Sequence, residues 1–165
     1  MAQSSVRCVV THAEALAEIL AAHAAAGDAE PCGALLGRVD GDRVVIEAFQ
    51  AARNAHPAPA AAFLLHPEDA LEARRAAEGR GLRVVGTWHA HRRGGAFPSE
   101  ADAAGLAAAS LAPGQDGVPA EAPHVFAISG RGSGNATVLR AFLPDGRRYP
   151  REVRLRIVRR RGAKD

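Results

Sequence analysis

Two histidines, His89 and His91, lie two positions apart at the end of the apolar run LRVVGTWH. Side chains two positions apart in a β-strand point to the same face, so both imidazoles are expected to face one point. Asp102 follows in the first turn of a predicted helix, after a loop long enough to bring it beside the histidines. Two histidines and a carboxylate leave a fourth tetrahedral position for water, which is the pattern of a catalytic zinc site.

Each half of this pattern also has an ordinary explanation. A His-x-His pair on a strand is a weak signal for metal binding when it stands alone. Ser99 followed by Asp102 is typical of a helix N-terminus, where the serine caps the helix and the helix dipole favours the aspartate. Both halves at this spacing are much less expected by chance, which favours a metal site.

Three other kinds of metal site that use His-x-His do not fit the chain. A metal-dependent barrel hydrolase needs about 250 residues, and this chain has 165. A metallo-β-lactamase-like site expects an aspartate two residues after the second histidine, where this chain has Arg93. A cupin expects a glutamate a few residues after the histidines, and none occurs before Glu100.

The elements that must position these residues are predicted to form one α+β domain, with a mixed sheet and about three helices. Thr11 and Glu14 match a capping box at the start of the first helix, and Gly27 matches its stop. Asp40-Gly41-Asp42 predicts the turn of a β-hairpin. Strands are predicted at 6–10, on both sides of that turn, and at 63–65, 82–89, 124–129, 136–142 and 153–158; helices at about 12–26, 67–78 and 99–111; and a loop at 51–62.

Composition indicates a folded domain, with 47% hydrophobic and 24% charged residues. The two cysteines, Cys8 and Cys32, are too few for a disulfide framework or a four-cysteine zinc site, so we expect a cytoplasmic protein. Neither a signal-peptide pattern nor an apolar run of about 18 residues is present, which disfavours secretion and membrane spanning, so no membrane partner is expected. Twenty arginines against one lysine, with heavy alanine use, suggest a GC-rich bacterial genome.

The basic character of the chain is concentrated at its C-terminus. Residues 147–165 hold eight arginines and Lys164 against Glu152 and Asp165, a net charge of +7, so residues 1–146 carry −4 of the overall +3. We therefore divide the chain into a domain over 1–146 and an arginine-rich strand with a basic tail over 147–165. The alternation of arginines with apolar residues predicts an edge strand with one solvated face. Nucleic-acid binding is disfavoured because no aromatic residues are interleaved to stack on bases.

Taken together, these residues resemble the JAMM (MPN-plus) zinc metallopeptidases, of the short prokaryotic type. The family pattern is His-x-His, seven residues, Ser, two residues and Asp, and His91, Ser99 and Asp102 keep that register. The upstream stretch from Glu30 to Gly37, EPCGALLG, is similar to the family's Glu-x-x-Gly-x-Leu-x-Gly segment. The resemblance covers most of residues 5–145.

The resemblance implies an α+β fold, MPN-like (cytidine-deaminase-like), and one Zn²⁺ per chain held by His89, His91 and Asp102. Glu30 would take a proton from the attacking water and deliver it to the leaving amine. Ser99 would donate to the carbonyl oxygen as it becomes an oxyanion. Many members have proline directly after the second histidine, where this chain has Arg92, which puts the shape of the neighbouring loop in question.

The implied activity is hydrolysis of a peptide or isopeptide bond at the C-terminal tail of a ubiquitin-like or sulfur-carrier protein, often ending in Gly-Gly. The chain has no room for the insertions that larger relatives use to grip a second ubiquitin. Two alternatives remain open: a non-catalytic MPN-type scaffold, and binding of nucleic acid or an acidic partner through the basic C-terminal segment. The sequence leaves the oligomeric state undetermined.

Other chemically capable side chains are assigned to the core or the surface. Trp88 alternates away from the histidine face and is expected in the core, and Cys32 is expected to be a small buried hydrophobe. The remaining histidines lack ligand spacing: His12, His23, His56, His66 and His124.

Overall fold

The computed structural model describes residues 5–111 and 124–160. Within them lie seven strands, three α-helices and one short 3-10 helix. In chain order these are β1 (Cys8–His12), α1 (Ala13–Ala25), β2 (Cys32–Asp40), β3 (Arg43–Ala52), α2 (Pro67–Gly79), β4 (Arg83–Gly95), α3 (Glu100–Leu111), β5 (Val125–Arg131), the 3-10 helix (Ser133–Asn135), β6 (Thr137–Leu143) and β7 (Arg151–Val158). Residues 112–123, which the sequence marks as a Pro/Gly-rich stretch, lie outside the described residues.

The strands form one mixed sheet that closes on itself in the order β1-β3-β2-β4-β5-β6-β7. The β1–β3, β1–β7 and β4–β5 pairs are parallel, and the other pairs are antiparallel. The predicted α+β class with three helices is thus confirmed, but the sheet is closed. A closed sheet has no free edge strands, which fixes where each strand end lies relative to the others.

The arginine-rich segment is a strand, as predicted, but it is not an edge strand. Residues 151–153 of β7 pair with β6, and residues 154–158 pair in parallel with β1. Val153 is buried and Leu155 packs against the main core, while Arg154 and Arg156 are exposed. The alternation therefore arises from a sheet with one solvated face, and β7 is the strand that closes it.

The core lies inside this sheet and under two helices. Ile19 of α1 joins Leu35 and Trp88 in the main buried cluster. Helix α2 packs a second cluster against β2 and β4 through Ala70, Ala73 and Ala77, whose spacing places them on one helix face. Burial on both sides explains why β2 is apolar along most of its length, from Cys32 to Gly37.

The hairpin turn is confirmed, with Gly41 in the left-handed region at φ 59°. The predicted capping box of α1 is wrong. Thr11 belongs to β1, where it is buried and paired with β3 and β7, so the strand holds it extended. Helix α1 begins after His12, which makes no side-chain capping bond, and ends at an extended Ala26, so Gly27 does not supply a left-handed stop.

Two boundaries also differ from the prediction around the loop between β3 and α2. Residues 63–65 do not form a strand; only an isolated bridge joins Leu65 to Asn54. β4 continues past His89 to Gly95, because strand pairing to β5 resumes there. The predicted loop after His91 is therefore partly strand.

Both cysteines are free. Cys32 is buried, and burial followed by the nearby charges of Asp69 and Glu30 raises the pKa of its thiol to about 12. This confirms Cys32 as a small buried hydrophobe.

Among the described residues, none of the helices is long and apolar enough to cross a membrane.

Candidate metal centre

The two histidines lie where the regular pairing of β4 ends. His89 faces Cys32 of β2 and Ile128 of β5 in the strand register. After Ala90, which pairs with Ser129, the next four residues of β4 face a single residue of β5 before pairing resumes at Gly95. Residues 91–94 therefore form a bulge that begins at His91, two positions after His89.

His89, His91 and Asp102 converge on one point, as the sequence predicts. The two Nε2 atoms lie 3.1 Å apart. His89 Nε2 lies 3.0 Å from Asp102 Oδ1, and His91 Nε2 lies 3.0 Å from Asp102 Oδ2. His89 and Asp102 are buried and His91 is half-buried, so the cluster opens to solvent on the side of His91.

A backbone carbonyl orients His91. Its Nδ1 lies 3.0 Å from the carbonyl oxygen of Gly95. A carbonyl can only accept, so Nδ1 carries a proton, and Nε2 is the ring nitrogen that would offer a lone pair to a metal once it has released its own proton. His89 is held differently: the ring of Phe63 stacks on it at a centroid distance of 4.2 Å, and its Nδ1 has no hydrogen-bond partner within the described ranges.

Asp102 is fixed by the start of α3. The Ser99 backbone N–H donates to Asp102 Oδ2 at 2.8 Å, and the Asp102 N–H donates to Ser99 Oγ at 3.1 Å. This reciprocal pair is a capping box, with aspartate in place of the usual glutamate or glutamine. The same two residues therefore start the helix and orient the carboxylate toward the histidines.

The electrostatics of the cluster keep Asp102 ionised. Burial alone would raise the pKa of its carboxyl, but the hydrogen bonds from His89 and His91 outweigh burial and hold it well below its usual range. Burial lowers the pKa of His89, whereas the hydrogen bond to Asp102 raises the pKa of His91. The neutral form of His89 and the ionised form of Asp102 are those that metal binding requires, whereas His91 would release its Nε2 proton when a metal binds.

These three side chains fit zinc. Two imidazole nitrogens and a carboxylate oxygen are ligands that zinc prefers, and tetrahedral bonds of about 2.0–2.1 Å would put neighbouring ligand atoms roughly 3.3 Å apart. The closest donor atoms here are separated by 3.0–3.1 Å. A small expansion of the cluster would therefore accommodate the ion.

Glu30 lies just before β2, beside the cluster. The carbonyl of the next residue, Pro31, accepts from the Ala90 N–H at 3.1 Å, so this segment borders β4 between the two histidines. Glu30 is only 8% exposed, and its Oε2 is buried without a hydrogen-bond partner in the described part of the chain. Burial raises the pKa of its carboxyl to about 7, with His91 lowering it and Asp102 raising it further.

Two arrangements around the site escaped the sequence analysis. Asn54 fixes the loop beside Glu30: its Nδ2 donates to the carbonyls of Glu30 and Ala62, and its Oδ1 accepts from two backbone N–H groups. An asparagine in a Pro-rich loop signals a turn, but not which carbonyls it will bind.

The second arrangement lies beneath the histidine strand. Trp88 is fully buried in the core, as predicted, and its Nε1 donates to Ser129 Oγ at 3.0 Å. That hydroxyl also lies 2.6 Å from Nδ1 of His23, at the end of α1. No local sequence pattern predicts this series of hydrogen bonds, because the bonded residues are separated by 41 and 106 positions.

The chain belongs to a family described as prokaryotic homologs of the JAB domain, which it matches over residues 12–143. The predicted membership of the JAMM/MPN group, in its short prokaryotic form, is thereby confirmed.

One curated relative is a probable TtuB-protein conjugate cleaving protease from Thermus thermophilus. It is 36% identical over 73 residues, which cover 44% of this chain and 46% of that protein. The matched segment thus spans about half the length of the relative. The solution structure of protein DSY2949 from Desulfitobacterium hafniense superposes with a TM-score of 0.72 at 23% identity, covering 92% of this chain and 93% of that one. At that identity the likeness concerns the fold alone.

Proposed function

We propose that this protein is a zinc-dependent metallopeptidase that hydrolyses a peptide or isopeptide bond. The observation that carries the proposal is the convergence of His89, His91 and Asp102 within 3.0–3.1 Å, beside a buried glutamate, in a chain of the JAB family. The zinc would be held by those three side chains. When bound, it supplies Lewis-acid chemistry that polarises a carbonyl and lowers the pKa of water to about 7.

Glu30 is the proposed general base and acid. A group that takes a proton from water and later returns it to an amine works best when its pKa lies near the working pH. Burial raises the pKa of Glu30 to about 7, and its Oε2 has no protein partner among the described residues, so this oxygen is free to accept the proton. The adjacent Asp102 stays ionised and holds no proton to exchange, which separates the roles of the two carboxylates.

Ser99 is the proposed donor to the substrate carbonyl oxygen. Its Oγ accepts from the Asp102 N–H, which leaves the hydroxyl hydrogen available for a second partner. A hydrogen-bond donor to the oxyanion contributes roughly 3 kcal/mol to transition-state stabilisation in other hydrolases. The capping contact fixes Oγ in place before substrate arrives.

The proposed substrate is a ubiquitin-like or sulfur-carrier protein with a flexible C-terminal tail, often ending in Gly-Gly. Support comes from the relative described as cleaving TtuB conjugates, together with family membership. The tail would lie extended across the open side of the cluster, near His91.

A cleavage assay with matched variants tests the proposal. A carrier fused through its tail to a reporter is incubated with zinc-loaded wild type, Glu30→Gln and, as a control, Glu72→Gln on the exposed face of α2. We expect cleavage by wild type and the control, and a loss of at least 100-fold in Glu30→Gln with zinc retained. Equal cleavage by both variants would contradict the role of Glu30, and binding without cleavage by wild type would favour a non-catalytic scaffold.

A further inference from the structure

Five exposed side chains lie in the segments that flank the candidate metal centre, and they share a chemistry suited to a protein partner. Three are arginines and two are large apolar residues. They are Leu64, Arg92, Arg93, Phe97 and Arg131, here called the rim.

The arginines of the rim are placed by the β4 bulge. Arg92 and Arg93 follow His91 directly, inside the bulge, and both are exposed. Arg131 pairs in register with Gly95, where β4 rejoins β5, so it lies at the other side of the same bulge. Within the described residues none of the three forms an ion pair with a carboxylate, although arginines such as Arg38 and Arg53 do so elsewhere on the surface. Their charge is available to a partner.

The apolar members of the rim are exposed but held in place. Leu64 is 55% exposed, and its backbone N–H donates to Asn54 Oδ1, next to the Phe63 ring that stacks on His89. Phe97 is 53% exposed, two residues before Ser99, and the guanidinium of Arg140 lies 4.7 Å above its ring. The fixed backbone of Leu64 and the stacked ring of Phe97 lose little freedom when a partner covers them, which favours association.

We propose that the rim is a docking surface for the folded, acidic body of the protein whose C-terminal tail is cut. This inference rests on the proposed function and names the charge of its substrate. Aromatic and arginine side chains are enriched where proteins bind each other, and cationic patches steer acidic partners to a site. The rim is cationic although residues 1–146 carry a net charge of −4, so its charge is a local feature.

The proposal predicts that the body and the tail of the substrate are recognised separately. Arg92→Glu/Arg93→Glu is compared with Arg75→Glu/Arg80→Glu, an equal charge change at exposed positions at the end of α2 and just beyond it. The substrates are a ubiquitin-like sulfur carrier of net negative charge, fused through its Gly-Gly tail to a fluorescent reporter, and the tail peptide alone on the same reporter. The rim variant should raise KM for the carrier at least tenfold, with KM for the peptide and zinc content unchanged.

Binding measured by calorimetry separates this inference from the catalytic proposal. The uncut carrier is titrated into Glu30→Gln protein, with and without the rim substitutions, and Arg131→Glu is used as a second variant further from the ligands. Loss of binding in the rim variants only supports the docking surface. If wild type also cleaves no substrate, the docking surface is supported while the proposed activity fails. Equal binding by rim and control variants, no binding at all, or preferential binding of an RNA oligonucleotide would overturn the inference.

Discussion

Glu30 is the residue whose environment departs furthest from what its sequence position suggests. A glutamate just before a strand is ordinarily solvated, yet this one is buried, and one of its carboxylate oxygens has no partner in the part of the chain that the structure describes. Burying a carboxylate in this way is costly for stability, and such costs are typical of functional sites. The same burial brings its pKa into the range that proton transfer requires.

The cost of this burial predicts a pH dependence for the metal-free protein. The pKa of Glu30 is raised from 4.5 to about 7 on folding. Between those values the folded state retains a proton that the unfolded chain has lost, so this contribution to the free energy of unfolding falls as pH rises from about 4.5 to 7. Glu30→Gln should therefore be more stable than wild type at pH 8, by up to about 3 kcal/mol, and not at pH 4.

Urea denaturation of both proteins at the two pH values, with chelator present, measures this difference. Glu72→Gln serves as the exposed control and should show no such pattern. A constant difference between wild type and Glu30→Gln at pH 4 and pH 8 would contradict the burial argument.

Ser99 has two roles in this account, and a pair of variants separates them. Ser99→Ala removes both the cap of α3 and the hydroxyl, so it should lower the free energy of unfolding by about 1 kcal/mol and also reduce kcat. Ser99→Asp supplies a capping oxygen and, as a carboxylate, no hydrogen-bond donor, so stability should recover while kcat stays low. Recovery of kcat together with stability would show that capping, not donation, explains the effect.

At the level of secondary structure, the bulge of β4 is the feature that shapes the candidate metal centre. Its four residues face only Gly130 of β5. A Cβ at Gly130 would lie 2.6 Å from the nitrogen of Ala96 and 2.8 Å from the carbonyl oxygen of Gly94, both backbone atoms that cannot rotate away. Glycine at this position is therefore required for the close approach that places His91 and the Gly95 carbonyl.

Gly130→Ala should accordingly weaken zinc binding by at least tenfold, because His91 is displaced from His89 and Asp102. The control is Gly105→Ala in α3, where an added Cβ meets nothing within 4 Å. That helical substitution should raise stability by about 0.5–1 kcal/mol without changing zinc affinity. Competition with a chelating dye measures both affinities, and equal values would rule out a positioning role for the bulge.

At the scale of the whole molecule, β7 joins the C-terminal segment to the rest of the sheet. The division into 1–146 and 147–165 remains a prediction, and the pairing of β7 with both β1 and β6 favours a single unit. Removing residues 147–165 would expose the edges of β1 and β6 and expose the core residues that Val153 covers. We expect that truncation to abolish cooperative thermal unfolding, as followed by circular dichroism. A truncated chain that still unfolds cooperatively would establish 1–146 as a domain.

Local pattern was enough to predict most elements and the convergence of His89, His91 and Asp102. The hairpin, α2 and α3 depend on turn, capping and periodicity signals that lie within a few residues. The closure of the sheet, the bulge opposite Gly130 and the Trp88–Ser129–His23 chain depend on pairing between distant segments, which no local pattern encodes. The start of α1 was wrong for the same reason, since strand partners hold Thr11 extended.

The central claim is that this fold assembles a zinc site, and metal stoichiometry tests it most directly. Protein purified without chelator is assayed by elemental analysis as wild type, His89→Ala and the control His56→Ala, whose ring accepts from the Ala58 backbone N–H. We predict about one zinc per chain in wild type and the control, and almost none in His89→Ala. No zinc in any of the three after reconstitution, or equal zinc in all three, would contradict the account.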